Sequence, residues 1–161
     1  MKGVVKLGLL IVIFFLATVV QAKDEQTSAL PDVRIPPESF YYPIIRIIEK
    51  AQVNFYLNSD SKADFYKNLV QKRVAELKHV VDNSYLDQIE RSSQRVSYQV
   101  GILTDYIVSK NLNSKKSSII DLYKKDKIIL EKLRDKYPAN SSFWMLIQHI
   151  INSIDINLQK L

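Results

Sequence analysis

The chain of 161 residues has no cysteine, two histidines and three glycines, and two of those glycines lie in the first eight residues. The absence of cysteine excludes disulfides, thiolate metal sites and a cysteine nucleophile. Beyond residue 22 only Gly101 remains, so phosphate loops, dinucleotide fingerprints and nucleophile elbows, which need glycine at tight turns, are excluded. We therefore predict a protein that is not an enzyme and has no cofactor.

The first 22 residues have the three-part pattern of a secretory signal peptide. Lys2 and Lys6 precede an uncharged run over residues 7–20, and Val20 and Ala22 suit a cut before Lys23. The run is shorter than the roughly 20 residues that a spanning helix needs. We expect export to the cell envelope or medium. An uncleaved signal anchor is the alternative.

Residues 23–41 contain three prolines and are predicted to form a flexible linker, and residues 42–161 the folded domain. Removal of residues 1–22 leaves 21 basic against 17 acidic residues, a net charge of +4. Eight of the basic residues and four of the acidic residues fall in residues 113–137, so the excess positive charge belongs to that segment.

Helical periodicity dominates the domain. Four segments of about 19–27 residues, each with start and stop residues, carry apolar side chains at +3/+4 spacing. The strictest seam comprises Leu86, Ile89, Ser93, Val96, Val100, Leu103 and Ile107. Because short breaks make consecutive helices antiparallel neighbours, we predict an all-α, up-and-down bundle. An additional Ile-rich helix from Pro43 is apolar nearly all round, so we expect it to be buried on several sides.

Glu76-x-x-His79 is the one local pattern with catalytic precedent, because bundle di-iron proteins use such pairs. The second pair is missing, and we interpret these residues as a surface glutamate beside a surface histidine. Asp126 interrupts the seam of the fourth long segment. We expect that helix to be rotated so that Asp126 lies at the edge of the core. A pairing with a basic residue across the bundle is the alternative.

The segment 113–137 supplies a candidate contact with an anionic envelope surface. The residues chosen for it are Lys115, Lys116, Lys124, Lys125 and Lys127. A solvated helix face is the simpler interpretation of the same charges. Nucleic acid is excluded as a partner of an exported chain without an aromatic and basic binding motif.

Residues 42–52 read Tyr-Pro-x-x-Arg-x-x-Glu-x-x-Gln, and a Lys-Ala pair and an Arg-x-x-Glu pattern follow at 62–63 and 73–76. These residues resemble a bacterial family of exported helical domains of unknown function. The chain departs from that family at Val74, where leucine is usual, and at residues 56–58. The resemblance implies export and helices, and it brings no activity or catalytic residue.

Arg46 and Glu49 lie one helical turn apart, so they can pair with each other or with Arg73 and Glu76 on the next helix. Such a polar clamp would fix how the first helix crosses the second. We expect the protein to be an interaction or structural module with an unidentified protein partner or an anionic surface. Membrane contact is expected only through the signal segment or the basic helix. A periplasmic chaperone or envelope-stress-sensor-like bundle is the alternative, and it requires an exposed concave apolar patch.

Overall fold

The structure, a computed structural model, describes residues 30–161 and contains five α-helices and no strand in that range. The predicted signal peptide at 1–22 and the linker residues 23–29 lie outside the described residues. The helices are α1 (Tyr42–Gln52), α2 (Ser59–Asp82), α3 (Leu86–Ser109), α4 (Asn113–Arg134) and α5 (Ser142–Lys160). A 3₁₀ turn, Val53–Phe55, follows α1. The predicted all-α bundle is confirmed.

Helices α2 to α5 form the bundle, and the apolar seams read from the sequence line its core. Of the α3 seam, only Leu86 is exposed, because it lies in the first turn at the end of the bundle. The seams of the other three helices contribute Val70, Val74, Leu77, Ile119, Leu130, Ile147 and Ile154, all of them buried. The period of 3.6 residues therefore placed the core correctly in each long helix.

Polar residues at the helix ends set the turns. The Asn58 side chain accepts a hydrogen bond from the Asp60 amide at 2.8 Å and begins α2, and Ser141 accepts one from the Trp144 amide and begins α5. Ser84 and Asn111, in the connections on either side of α3, adopt positive φ angles of 57° and 52°. This left-handed backbone reverses the chain within about three residues.

Ion pairs between helices show whether neighbouring helices run parallel or antiparallel. Lys115 near the start of α4 donates to Asp64 near the start of α2 at 2.8 Å, and Lys136 just after α4 donates to Asp82 at the end of α2 at 2.5 Å. Because start meets start and end meets end, α2 and α4 run parallel. Salt bridges of this exposed kind contribute little free energy, but they define the register.

The antiparallel neighbour of α4 is α5. Arg134 at the end of α4 donates to Gln148 at 2.7 Å, and Lys127, seven residues earlier, donates to Asp155, seven residues later, at 2.7 Å. Equal steps in opposite directions are what two antiparallel helices require.

One prediction about neighbours is wrong. Helix α3 packs along α2 and α5, and α4 packs along the same two helices, so the consecutive helices α3 and α4 lie diagonally opposite in the bundle. Tyr123 of α4 spans the diagonal. Its buried hydroxyl donates to the Val100 carbonyl at 2.9 Å and accepts a hydrogen bond from the Thr104 hydroxyl at 2.9 Å. A short loop reverses the chain but does not decide which side of the bundle the next helix occupies.

Residues 30–41 also differ from the flexible linker predicted for them. Leu30 packs against the bundle core, Pro37 is buried, and the Glu38 carboxylate lies 3.0 Å from Nε2 of His79 on α2. Prolines make this segment extended, and its apolar residues give it a surface to bind. The segment therefore lies against the bundle and leads directly into α1.

Leu103 tests the packing of the bundle. Leu103→Ala should lower the free energy of unfolding by about 2–5 kcal/mol, because it opens a cavity at a fully buried position. Val108→Ala is the matched control, since Val108 is 42 % exposed on the same helix, and it should change stability by less than about 0.5 kcal/mol. Urea unfolding followed by circular dichroism measures both, and equal effects would contradict the assigned core.

Candidate functional site: a buried Arg73 cluster beneath an outward apolar helix

Helix α1 is attached to the bundle by its polar side. Tyr42 and Glu49 are its only buried residues, and they lie seven residues, two helical turns, apart on one face. Ile44, Ile47 and Ile48 point outward and are 51, 67 and 37 % exposed. The expectation that this Ile-rich helix is buried on several sides is therefore wrong. The sequence pattern indicated how apolar the helix is, but it did not indicate which face of the helix contacts the bundle.

Arg73 of α2 lies at the centre of the attachment and is 1 % exposed. Its Nη1 donates to both oxygens of Glu76 at 2.5 and 2.6 Å and to the Tyr42 hydroxyl at 3.0 Å. Its Nη2 donates to Glu49. The Tyr42 hydroxyl in turn donates to Glu76 Oε2 at 2.7 Å. We call Tyr42, Glu49, Arg73 and Glu76 the Arg73 cluster.

Three further cations surround the Arg73 cluster. Glu49 also accepts from Lys72 at 2.7 Å and from Arg46 at 3.3 Å. The guanidinium of Arg95 on α3 lies 4.6 Å from the centre of the Tyr42 ring, in cation–π geometry. The structure thus brings together all four residues of the sequence-derived clamp, Arg46, Glu49, Arg73 and Glu76. Tyr42, Lys72 and Arg95 were missed, although Tyr42 lies two turns before Glu49 on the same helix face.

The electrostatics keep Tyr42 and Arg73 protonated. Burial raises the pKa of Tyr42, and the Glu76 carboxylate raises it further, so the phenol stays protonated and can donate its hydrogen bond. Burial disfavours the charge on Arg73, but the carboxylates of Glu76 and Glu49 outweigh it and raise the pKa of Arg73. The guanidinium is therefore a permanent cation held by two anions.

Helix α3 carries further buried polar residues beside Arg95. Ser92 and Gln99 of α3 are buried on the same stripe as Arg95, at intervals of three and four residues. Within the described chain Ser92 Oγ, Gln99 Nε2 and Arg95 Nη1 have no hydrogen-bond partner. Arg95 contacts α1 through the Tyr42 ring, so the polar side of α1 meets a polar side chain of α3.

The structure does not gather the five candidate lysines on one face. Lys115 is drawn to Asp64 on α2 and Lys127 to Asp155 on α5, on opposite flanks of α4. Lys124 and Lys125 are exposed, but at 100° per residue Lys116, Lys124 and Lys125 spread over about half the circumference of the helix. The charges of Lys115 and Lys127 are thereby partly neutralised, and the other three lysines point in different directions.

Glu76 and His79 face different surroundings. Glu76 is 1 % exposed inside the Arg73 cluster, so its interpretation as a surface residue is wrong. The partly exposed His79 borders an open groove of about 550 Å³ between residues 30–33 and α2. Among residues 30–161 no group of three or more histidine, aspartate or glutamate side chains is placed to hold a metal ion.

Asp126 lies inside the core, 2 % exposed, and not at its edge as expected. Its Oδ2 has no hydrogen-bond partner in the described residues, and burial raises its pKa to about 7. The alternative, a pairing of Asp126 with a basic residue across the bundle, is also absent from the described residues. A carboxylic acid that stays protonated is the cheaper state at this position, because an unpaired buried charge is costly.

Glu76 tests the Arg73 cluster. Glu76→Gln should lower the free energy of unfolding by about 3–5 kcal/mol, because it removes one of the two anions that balance a buried guanidinium. It should also make residues 42–58 sensitive to limited proteolysis. Glu90→Gln, an exposed exchange of the same chemistry on α3, should have almost no effect. Equal stability of the two variants would contradict the geometry.

Asp126 tests the core through pH. Its pKa of about 7 in the folded chain lies above the ordinary value of 3.8, so the folded state holds a proton that the unfolded state releases. Stability should therefore fall as pH rises from about 4 to 7, by up to about 4 kcal/mol, and stay constant above that range. Asp126→Asn should remove this decline, whereas Asp121→Asn on the exposed side of α4 should retain it. Melting curves at pH 5 and pH 8 measure the difference, and a wild-type decline in Asp126→Asn would contradict the assignment.

The comparisons with known proteins bear on the same region. A model of the family described as "Domain of unknown function (DUF5667)" matches residues 34–140, which include α1 to α4 and the whole Arg73 cluster and end before α5. No curated protein and no solved structure matches the chain. Because the match covers well over half of the chain, the protein belongs to the family of DUF5667 domains.

Proposed function

We propose that this protein is an exported, non-enzymatic interaction module of the bacterial cell envelope, and that α1 is its binding element. The observation that supports this most strongly is the orientation of α1. The helix buries a tyrosine and a glutamate and exposes three isoleucines, the reverse of a helix that serves only its own core. A folded chain that exposes contiguous apolar residues commonly uses them for binding.

The apolar surface extends beyond α1 at both ends. Phe40 before the helix is 87 % exposed, and Phe55 and Leu57 after it are 74 and 98 % exposed. Together with Ile44, Ile47 and Ile48 they form what we call the α1 outer face. Six large exposed apolar side chains within 18 residues of sequence exceed the scattered single residues that would need no explanation.

The chemistry of the Arg73 cluster favours a structural role. Both carboxylates accept hydrogen bonds from Arg73, and the phenol is held protonated, so each ionisable group of the cluster is engaged. A catalytic acid or base needs a pKa near the working pH and access to a substrate. The cluster is instead suited to holding α1 in place.

Export rests on the sequence pattern of residues 1–22, which predicts a processed chain that begins at Lys23. Intact-mass measurement of the protein recovered from cells tests this part. A chain that retains Met1 in the membrane fraction would favour the signal anchor, and recovery from the cytoplasm would contradict export.

The binding role of α1 is tested by photo-crosslinking in cells that carry the full chain. A photoreactive amino acid at Ile47 should give adducts in the envelope fraction, because this side chain lies in the middle of the α1 outer face. The same amino acid at Lys124, exposed on α4, is the control and should give few. Equal yields at the two positions would contradict the proposal.

A further inference from the structure

None of the helices in residues 30–161 combines the length and the apolarity that spanning a bilayer requires. The α1 outer face nevertheless has the composition of a helix that lies in a membrane surface. We propose that its occupant is the headgroup and upper acyl-chain region of an anionic phospholipid bilayer. This inference rests on the proposed function, since it names the partner of the same face.

Charge supports a lipid surface. Lys50 is exposed at the edge of the α1 outer face, about 60° around the helix from Ile47. The one acidic residue of α1, Glu49, is turned inward and neutralised by Arg46, Lys72 and Arg73. The exposed side chains of α1 are therefore all apolar, with the exception of the positive Lys50. Interfacial helices combine these two properties, because lysine and arginine side chains reach from the apolar plane to lipid phosphates.

The shape and composition of the face also fit an interface. Three isoleucines occupy the middle of α1, and Phe40, Phe55 and Leu57 stand exposed at its two ends. The 11 residues of α1 extend for about 16 Å, too short to cross a bilayer but sufficient to lie along its surface.

The experiment uses the full chain and a local readout, so it does not depend on how residues 1–29 bind. Because the chain contains no cysteine, Ile47→Cys carries a single environment-sensitive fluorophore, and Lys124→Cys carries the same fluorophore as control. With phosphatidylethanolamine–phosphatidylglycerol vesicles, the probe at 47 should shift its emission to the blue. It should also be quenched by lipids that carry a nitroxide on the upper acyl chain. The probe at 124 should do neither.

Two variants separate the contributions. Ile44→Ser with Ile48→Ser, both at exposed positions, should abolish the shift of the probe at 47 without lowering the melting temperature. Lys50→Gln, or vesicles of phosphatidylcholine alone, should reduce the shift, because each removes the attraction between a basic side chain and anionic headgroups. A shift that is unchanged in the double serine variant would overturn the proposal.

Three other outcomes would overturn it in distinguishable ways. A blue shift that appears as the protein concentration rises, without lipid, would identify a second copy of the chain as the occupant. A probe at 47 that stays in water with vesicles but becomes shielded in native envelope membranes would identify a protein partner and leave the proposed function standing. A probe that stays in water in both would overturn the lipid proposal and the proposed function together.

Discussion

Arg73 is a fully buried guanidinium between two carboxylates, one on its own helix and one on α1, and the position of α1 follows from it. Leaving such a charge without its anions costs several kcal/mol, so Glu49 has to reach it. Tyr42 adds a second point of attachment two turns away on the same face of α1. Because these two side chains point inward, the isoleucines on the opposite side of the helix face outward.

The bundle core and the Arg73 cluster use different physics. The core is held by non-directional burial of the seams of α2 to α5, with Tyr123 as a hydrogen-bonded link across the diagonal. The cluster is held by directional, charge-assisted bonds that work at one geometry. Helix α1 can therefore have a defined position with few apolar contacts to the bundle, and its apolar surface remains available for a partner.

Periodicity was sufficient to predict the long helices, because each buries one continuous stripe. It failed for α1, where the apolar side is the exposed one. For Asp126 the periodicity was right and the expected rotation of the helix was wrong, because this acid follows the stripe into the core although it is polar. The Arg46, Glu49, Arg73 and Glu76 set was visible as charges at helical spacing. The contribution of Tyr42 was not predicted, because the sequence does not show that its hydroxyl meets Arg73 and Glu76 of another helix. The diagonal placement of α3 and α4 depends on packing over the whole bundle, so it cannot be predicted from the sequence of any one helix.

Amide hydrogen exchange, resolved along the chain, tests most directly the claim that α1 is held by its polar side. In the native chain the amides of α1 should be protected, although less than those around Leu103 in the core. Glu49→Gln should accelerate exchange in α1 by at least about tenfold, the equivalent of 1.4 kcal/mol, while α3 stays protected. Unchanged protection of α1 in that variant would mean that other contacts hold the helix and would contradict the account.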